Sequence, residues 1–294
     1  ALSACAAPVP SPNAPAPNAP TVPPPASAAS QALVAYYAGL DAGLCERGLL
    51  RTDNGRIDAP YDARRLAETF IRIALYDEFT DTPQGYVAQE RVSQLRKWVV
   101  PVRVGLRFGA SVPPDKVARE RARVGAYLAR LSAVTGHPIR LSDAGANFFL
   151  YYVNEDERLA LAPEIARVMP GFAPNEIAAF TRMSPSTYCQ VSVVAGAGSG
   201  IYTRAFALIR AEHTDLMSLA CLHEEVAQGL GLPNDSPRAR PSIFNDDQEF
   251  ALLTPMDEAL LRILYNPALR PGMTVAEAQP IVESLATALL GGES

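Results

Sequence analysis

Histidine is scarce in this chain, with three residues in 294 (His137, His213 and His223), and the sequence adds only four cysteines, one tryptophan and 7% aromatic residues. An imidazole-built zinc site has little to draw on, and no spacing sets any of the three rings beside a serine and an aspartate as a catalytic triad. Basic charge is short as well: 26 Lys and Arg stand against 31 Asp and Glu, net -5. That balance removes the broad positive field that a phosphate backbone needs, so nucleic acid is not an expected partner. No apolar run approaches the roughly 20 residues that span a bilayer as a helix. What remains is an ordinary globular mix, 48% hydrophobic and 19% charged, long enough for a sizeable core and one or two domains.

Two stretches near the start depart from that mix. Ala1-Leu2-Ser3-Ala4-Cys5 is small and apolar up to a cysteine and resembles the cleavage box of bacterial lipoproteins. The resemblance implies a lipid-modified Cys5 that holds the protein on a membrane through buried acyl chains. It also implies a place in the bacterial cell envelope, at the outer membrane facing the periplasm. Nine prolines then fall between Pro8 and Pro25, with no charge and no hydrophobic periodicity. This predicts an extended spacer of about 3.1 Å per residue. Ligands of SH3-type domains would carry flanking basic residues, which are absent here.

Folded structure is expected from about Ser30. A helix is predicted over 31–43, a turn at Asp53-Asn54-Gly55, and an amphipathic helix from Asp62 to Phe79 with Leu66, Phe70, Ile73 and Ala74 on one face. Alternation in 99–108 marks a strand. A long helix over 115–134 ends at Thr135-Gly136, with its basic side chains Lys116, Arg119, Arg121, Arg123 and Arg130 expected on a solvated face. Strands near 139–141, 147–153 and 201–210 and helices at 255–265 and 275–289 complete an α+β fold, with helices on one face of a twisted mixed sheet. Phe148, Phe149, Tyr151 and Tyr152 read as core or cleft-wall aromatics. Gly196-Ala197-Gly198-Ser199-Gly200 lacks the lysine of a phosphate loop and the spacing of a nucleophile elbow, and reads as a hairpin connection.

Chemistry concentrates in Cys221-Leu222-His223-Glu224-Glu225-Val226-Ala227-Gln228-Gly229-Leu230-Gly231-Leu232-Pro233-Asn234-Asp235. This segment resembles the zinc helix of metzincin peptidases, H-E-x-x-H-x-x-G-x-x-H. In that pattern two imidazoles at i and i+4 share a helix face, the intervening Glu activates water, and a glycine turn returns a third imidazole. Starting at His223 puts Ala227, Leu230 and Pro233 at the second ligand, the glycine and the third ligand, and all three fail. Starting at Glu224 keeps Gly231 at the turn and Glu225 as the general base, but places Glu224, Gln228 and Asn234 where the histidines would be. Ser242-Ile243-Phe244-Asn245 resembles the S-I-M-Y segment of the matrixin Met-turn, with Phe244 for Met. Leu253-Thr254-Pro255-Met256-Asp257 through Leu264-Tyr265 is similar to the helix that follows it. Much of the chain, including Arg240–Asp247, also resembles an uncharacterised family of bacterial lipoproteins whose name implies no activity.

Three readings of this helix stay open. Its polar residues can be structural groups of a cleft that bond the 242–247 loop. They can hold a hard divalent cation such as Ca²⁺, Mg²⁺ or Mn²⁺, though not zinc, if Asp235 and the carboxylates Asp246, Asp247 and Glu249 converge on Glu224. Or Glu225 can be the base of a working hydrolase in which His223 or another group supplies what the pattern lacks. Of the cysteines, Cys189 and Cys221 are the expected disulfide, because the strand and helix that they flank should pack together. The expected organisation is a signal end with lipidated Cys5 (1–5), a tether (6–30), an N-terminal helical segment (31–98) and a metzincin-like α+β domain (99–294). The expected role is non-catalytic binding of an envelope protein or polymer, with no cofactor. The alternative is a metal-dependent hydrolase or peptidase.

Overall fold

The computed structural model describes residues 26–82, 85–245 and 247–291. Cys5, the proline-rich stretch to residue 25 and Asp246 therefore lie outside the described residues. Helix α1 (Ala28–Glu46) is capped by Ser27, and α2 (Ala63–Ala74) by Asp62, whose carboxylate accepts from the Arg65 N–H at 2.8 Å. Leu66, Phe70, Ile73 and Ala74 are buried, as their spacing requires. The helix does not continue to Phe79. It stops at Ala74, and β1 (Tyr76–Thr82) pairs antiparallel with β2 (Gly85–Val92). That stretch is rich in Tyr, Phe, Thr and Val, residue types suited to a pleated strand, and pairing overrides the helical period.

The main body follows in chain order: β3 (Val102–Phe108), α3 (Pro114–Thr135), β4 (Ile139–Leu141), β5 (Phe148–Val153), α4 (Glu155–Leu159), α5 (Ala162–Val168), α6 (Pro174–Thr181), β6 (Cys189–Ala195), β7 (Tyr202–Arg210), α7 (Asp215–Gly231), α8 (Pro255–Tyr265) and α9 (Val275–Gly291). Five strands form one mixed sheet in the order β4-β3-β5-β7-β6. The first four are parallel, and β6 lies antiparallel along β7 at one edge. The Gly196–Gly200 segment is the β6–β7 connection, in which the Ser199 hydroxyl donates to the Gly196 carbonyl at 2.9 Å.

Helices cover both faces of this sheet, not one. The period of two in the central strands shows why: Phe148, Leu150 and Tyr152 of β5 with Ala205, Ala207 and Ile209 of β7 enter a core shared with α2, α3, α7, α8 and α9. Tyr151 and Val153 with Phe206 and Leu208 point the other way, into a second core closed by Ile165 and Val168 of α5 and Phe180 of α6. Strands apolar on both faces need a cover on both. Helix α2 shares the first core with the sheet, across position 98. A third, smaller cluster joins Tyr37, Leu44 and Leu50 of the N-terminal segment to Met217 and Ala251. Among the described residues no helix is long and apolar enough to cross a membrane.

The basic residues of α3 are not simply solvated. Lys116 donates to the Ala211 carbonyl at 2.7 Å, Arg123 pairs with the buried Glu120 at 2.8 Å, and Arg130 reaches Glu258 at 2.8 Å. Lys116 and Arg130 thus reach groups on neighbouring elements, while Arg123 pairs within α3.

Candidate functional site

Helix α7 carries the residues singled out by pattern. Its N-cap Thr214 accepts from the Met217 N–H at 3.3 Å and donates to Asp41 of α1. Two aromatic donors hold the other end: Trp98 Nε1–H reaches the Gly229 carbonyl and Tyr265 Oη–H the Leu230 carbonyl, both at 2.9 Å. These are carbonyls that the helix itself leaves unpaired. Gly231 then turns the chain with φ +128°, and a Cβ there would lie 2.3 Å from the Arg96 carbonyl oxygen. The glycine that fixes the register of the pattern is therefore demanded by the backbone itself.

The three ligand positions have separate surroundings. Glu224 is half-buried and lines a cavity of about 30 Å³ with Leu50, Tyr188, Cys189, Cys221 and Phe250 among its walls. Gln228 donates from Nε2 to Asp235 Oδ1 at 3.4 Å. Asn234 is 2% exposed, donates from Nδ2 to the Arg72 carbonyl at 3.0 Å, and gives its backbone N–H to the Ile73 carbonyl at 3.2 Å. It thus caps the C-terminal end of α2, whose last carbonyls have no partner within the helix. Glu225, the expected base, is buried.

Zinc does not fit this set. No imidazole or thiolate stands at the three positions, and His223 is engaged elsewhere: its Nδ1 accepts from the Leu253 N–H at 2.9 Å and its ring stacks on Tyr127 with 4.1 Å between centroids. Burial, with the charge of Arg130, pushes its pKa down to about 3, so the ring is neutral and positions the loop before α8. His213, pushed by burial to about 4, bonds the Tyr188 carbonyl at 2.7 Å. His137 bonds the Val100 carbonyl at 2.8 Å. A hard cation would need carboxylates closing on Glu224. Asp235 engages Gln228, Asp247 accepts from the Glu249 N–H at 3.1 Å, and Glu249 is held between Arg51 at 2.8 Å and Arg240 at 2.6 Å. Among the described residues no three His, Cys, Asp or Glu side chains gather as a metal-binding group.

Around α7 the frame is tightly tied. Cys189 of edge strand β6 and Cys221 form a disulfide with 5.8 Å between Cα atoms, and Cys45 is free and exposed on α1. The 242–247 loop is fastened to α8 by Asp257, a fully buried carboxylate that accepts from the Ser242 hydroxyl at 2.5 Å, the Ile243 N–H at 3.1 Å and the Thr254 N–H at 2.8 Å. Burial raises its pKa to about 6 although these donors favour the anion. Arg51 and Arg240, which hold Glu249 between them, are the anchors that spacing does not single out. Glu249 stands among the candidate carboxylates and Asp257 in the segment similar to the helix after the Met-turn, but their employment in loop anchoring is not legible in sequence.

A larger concavity lies to one side. A groove of about 1310 Å³ runs between α2, α9 and residues 234–238, and Arg64, Arg65, Arg72 and Arg238 share its walls with Glu68, Asp235 and Glu283. It meets the pattern residues at Asn234 and Asp235, not at Glu224. Residues 63–284, from α2 into α9, match the family model described as protein of unknown function, DUF2927. No curated protein matches the chain, and no solved structure does.

Proposed function

The chain belongs to the DUF2927 family, a family of unknown function, and from that premise we propose a non-catalytic binding protein of the bacterial envelope. In this reading Cys5 carries the lipid anchor and the tether runs from residue 6 to the start of the folded body, which comes earlier than residue 30 because Ser27 already caps α1 (Ala28–Glu46). The folded body is a metzincin-like domain whose zinc-ligand positions have passed to other duties, and its partner is an envelope protein or polymer. The architecture is supported by the sheet order with a single antiparallel edge strand, the long α3 between β3 and β4, and α7 directly after β7. The loop that resembles a Met-turn, locked to α8 by Asp257, supports it further. The groove beside Asn234 offers the volume for a ligand.

The observation that carries the loss of catalysis is Asn234. At the third-ligand position its side-chain amide is committed to the carbonyl end of α2, so this residue serves the fold. The test uses the full chain purified without chelator, beside a Glu224→Ala, Gln228→Ala variant. Metal content by mass spectrometry is expected to be far below one equivalent in both. Cleavage of a quenched-fluorescent peptide library is expected to stay at the level of a Glu225→Gln variant. One equivalent of metal lost in the double variant, or cleavage lost with Glu225→Gln, would replace this reading with the metal-dependent hydrolase.

A further inference from the structure

We propose that residues 26–62 form a releasable cover over the cavity that holds Glu224 and the Cys189–Cys221 disulfide. The family match begins at residue 63, so this segment lies wholly outside the matched domain while resting on its candidate site. Helix α1 is anchored on the body by Ser30 donating to Glu212 at 2.7 Å, by Tyr37 against His213 and by Asp41 accepting from Thr214, and at the cavity itself the segment rests through fewer contacts. Leu50 enters the wall of the cavity opposite Glu224, and Tyr37, Leu44 and Leu50 pack on Met217 and Ala251. Leu50 N–H donates to the Gln248 carbonyl at 2.9 Å, Arg51 N–H to Glu249 at 2.7 Å, and Ala251 N–H to Arg51 at 2.8 Å. Gly55 brings the segment so close that a Cβ would lie 2.6 Å from the Pro241 Cβ.

Two features mark this contact as reversible. Leu50 (φ 52°) and Gln248 (φ 59°) are the two non-glycine residues with left-handed backbone among the described residues, and they are hydrogen-bonded to each other across the seam. Backbone strain of this kind persists only where the surroundings enforce it, so it is relieved when the contact opens. The polar half of the seam is a partly exposed ion-pair cluster, in which Arg51–Glu249 and Arg240–Asp58 cross from the segment to the body. Such pairs are screened by salt and hold weakly. Opening exposes Glu224, the disulfide and the apolar patch around Met217 and Ala251 together, a surface separate from the groove beside Asn234. The proposal goes beyond the binding reading, which belongs to that groove, and its test is independent of it.

The disulfide lines the covered cavity and reports on it directly. In the full chain with Cys5→Ser and Cys45→Ser, the rate of reduction by excess water-soluble phosphine is followed by alkylation and mass spectrometry, with Trp98 fluorescence tracking global unfolding in the same samples. Reduction is expected to rise at least tenfold in Leu50→Asp, several-fold in Arg51→Ala, and with added salt in the parent, all with Trp98 emission unchanged. The Arg51→Ala and salt arms stand even if Leu50→Asp does not fold. Equal rates across these arms, or acceleration only in step with loss of Trp98 emission, would overturn the cover and leave the binding reading to its own test.

Discussion

Glu155→Ala is expected to cost about 4 kcal/mol of folding stability, measured by urea unfolding, and to be the most damaging single carboxylate truncation in the second core. Glu155 bridges two cations that are almost completely buried: Arg158, with 3% of its side chain exposed, and Arg210, with 1%. Arg210 meets Glu155 at 2.7 Å and otherwise has only the carbonyls of Met183, Ser184 and Thr187, while Arg158 otherwise has the Phe180 carbonyl. Removing the carboxylate leaves both guanidiniums buried without an anion at their shared contact, and that uncompensated charge is the source of the loss. Glu155→Gln keeps the length and one acceptor and should lose about half as much. The contrast is Glu68→Ala, which breaks an exposed pair with Arg64 on α2 at 2.8 Å and should cost less than about 0.5 kcal/mol. Equal effects at the two sites would show that the burial of the Arg158–Glu155–Arg210 triad has been misjudged.

Stability is expected to fall on mild acidification with a slope that a single substitution steepens. His213 and His223 have native pKa values near 4 and 3, below the 6.5 of the unfolded chain, because burial disfavours their charged form. As pH drops below 6.5 the unfolded chain takes up protons at both rings that the native state refuses, so the native state loses ground. Asp257 acts in the opposite sense: its native pKa near 6 lies above the ordinary aspartate value of 3.8, so between about pH 6 and 4 the native state binds a proton that the unfolded chain does not. His137, whose pKa burial also lowers, adds to the loss, and the net is on the order of 1 kcal/mol per pH unit between pH 6 and 5. Asp257→Asn removes the offset, and the slope should roughly double. Urea titrations at several pH values read this directly. Parallel pH profiles for the parent and Asp257→Asn would contradict the buried, proton-binding Asp257.

What could be read from sequence follows the range of the forces involved. Helix α3 is bounded by Pro114 and Asp115 at one end and Gly136 in the left-handed region at the other, and α8 by the Thr254-Pro255 cap. Both helices were legible because their stop and start signals are local. β4 and β5 were legible from short apolar runs. α4, α5 and α6, with five to eight residues each, carry too few turns for a hydrophobic period, and the β1–β2 hairpin hid under the helical spacing that precedes it. The cover on the second sheet face was missed along with those three helices, although the doubly apolar β5 already called for it.

The candidate site divides in the same way. Gly231 and the register of α7 could be set from spacing, since both are properties of one helix and its turn. The employment of Asn234 depends on α2, 162 residues earlier, and that of Glu249 on Arg51, 198 residues earlier. No local pattern encodes such pairs. His223 looked available for chemistry in sequence, and only the fold reveals that the Leu253 N–H and the Tyr127 ring engage it.

We propose that a metzincin-like frame survives here with its three ligand positions given to Glu224, Gln228 and Asn234. The most direct test restores the ligands: Glu224→His, Gln228→His and Asn234→His in one chain, with zinc per molecule counted by mass spectrometry after equilibration and desalting, and folding checked by circular dichroism. One zinc is expected in the triple variant and none in the parent. A folded triple variant that binds no zinc would contradict the metzincin-like geometry, and a stoichiometric zinc in the parent would contradict the loss of the site.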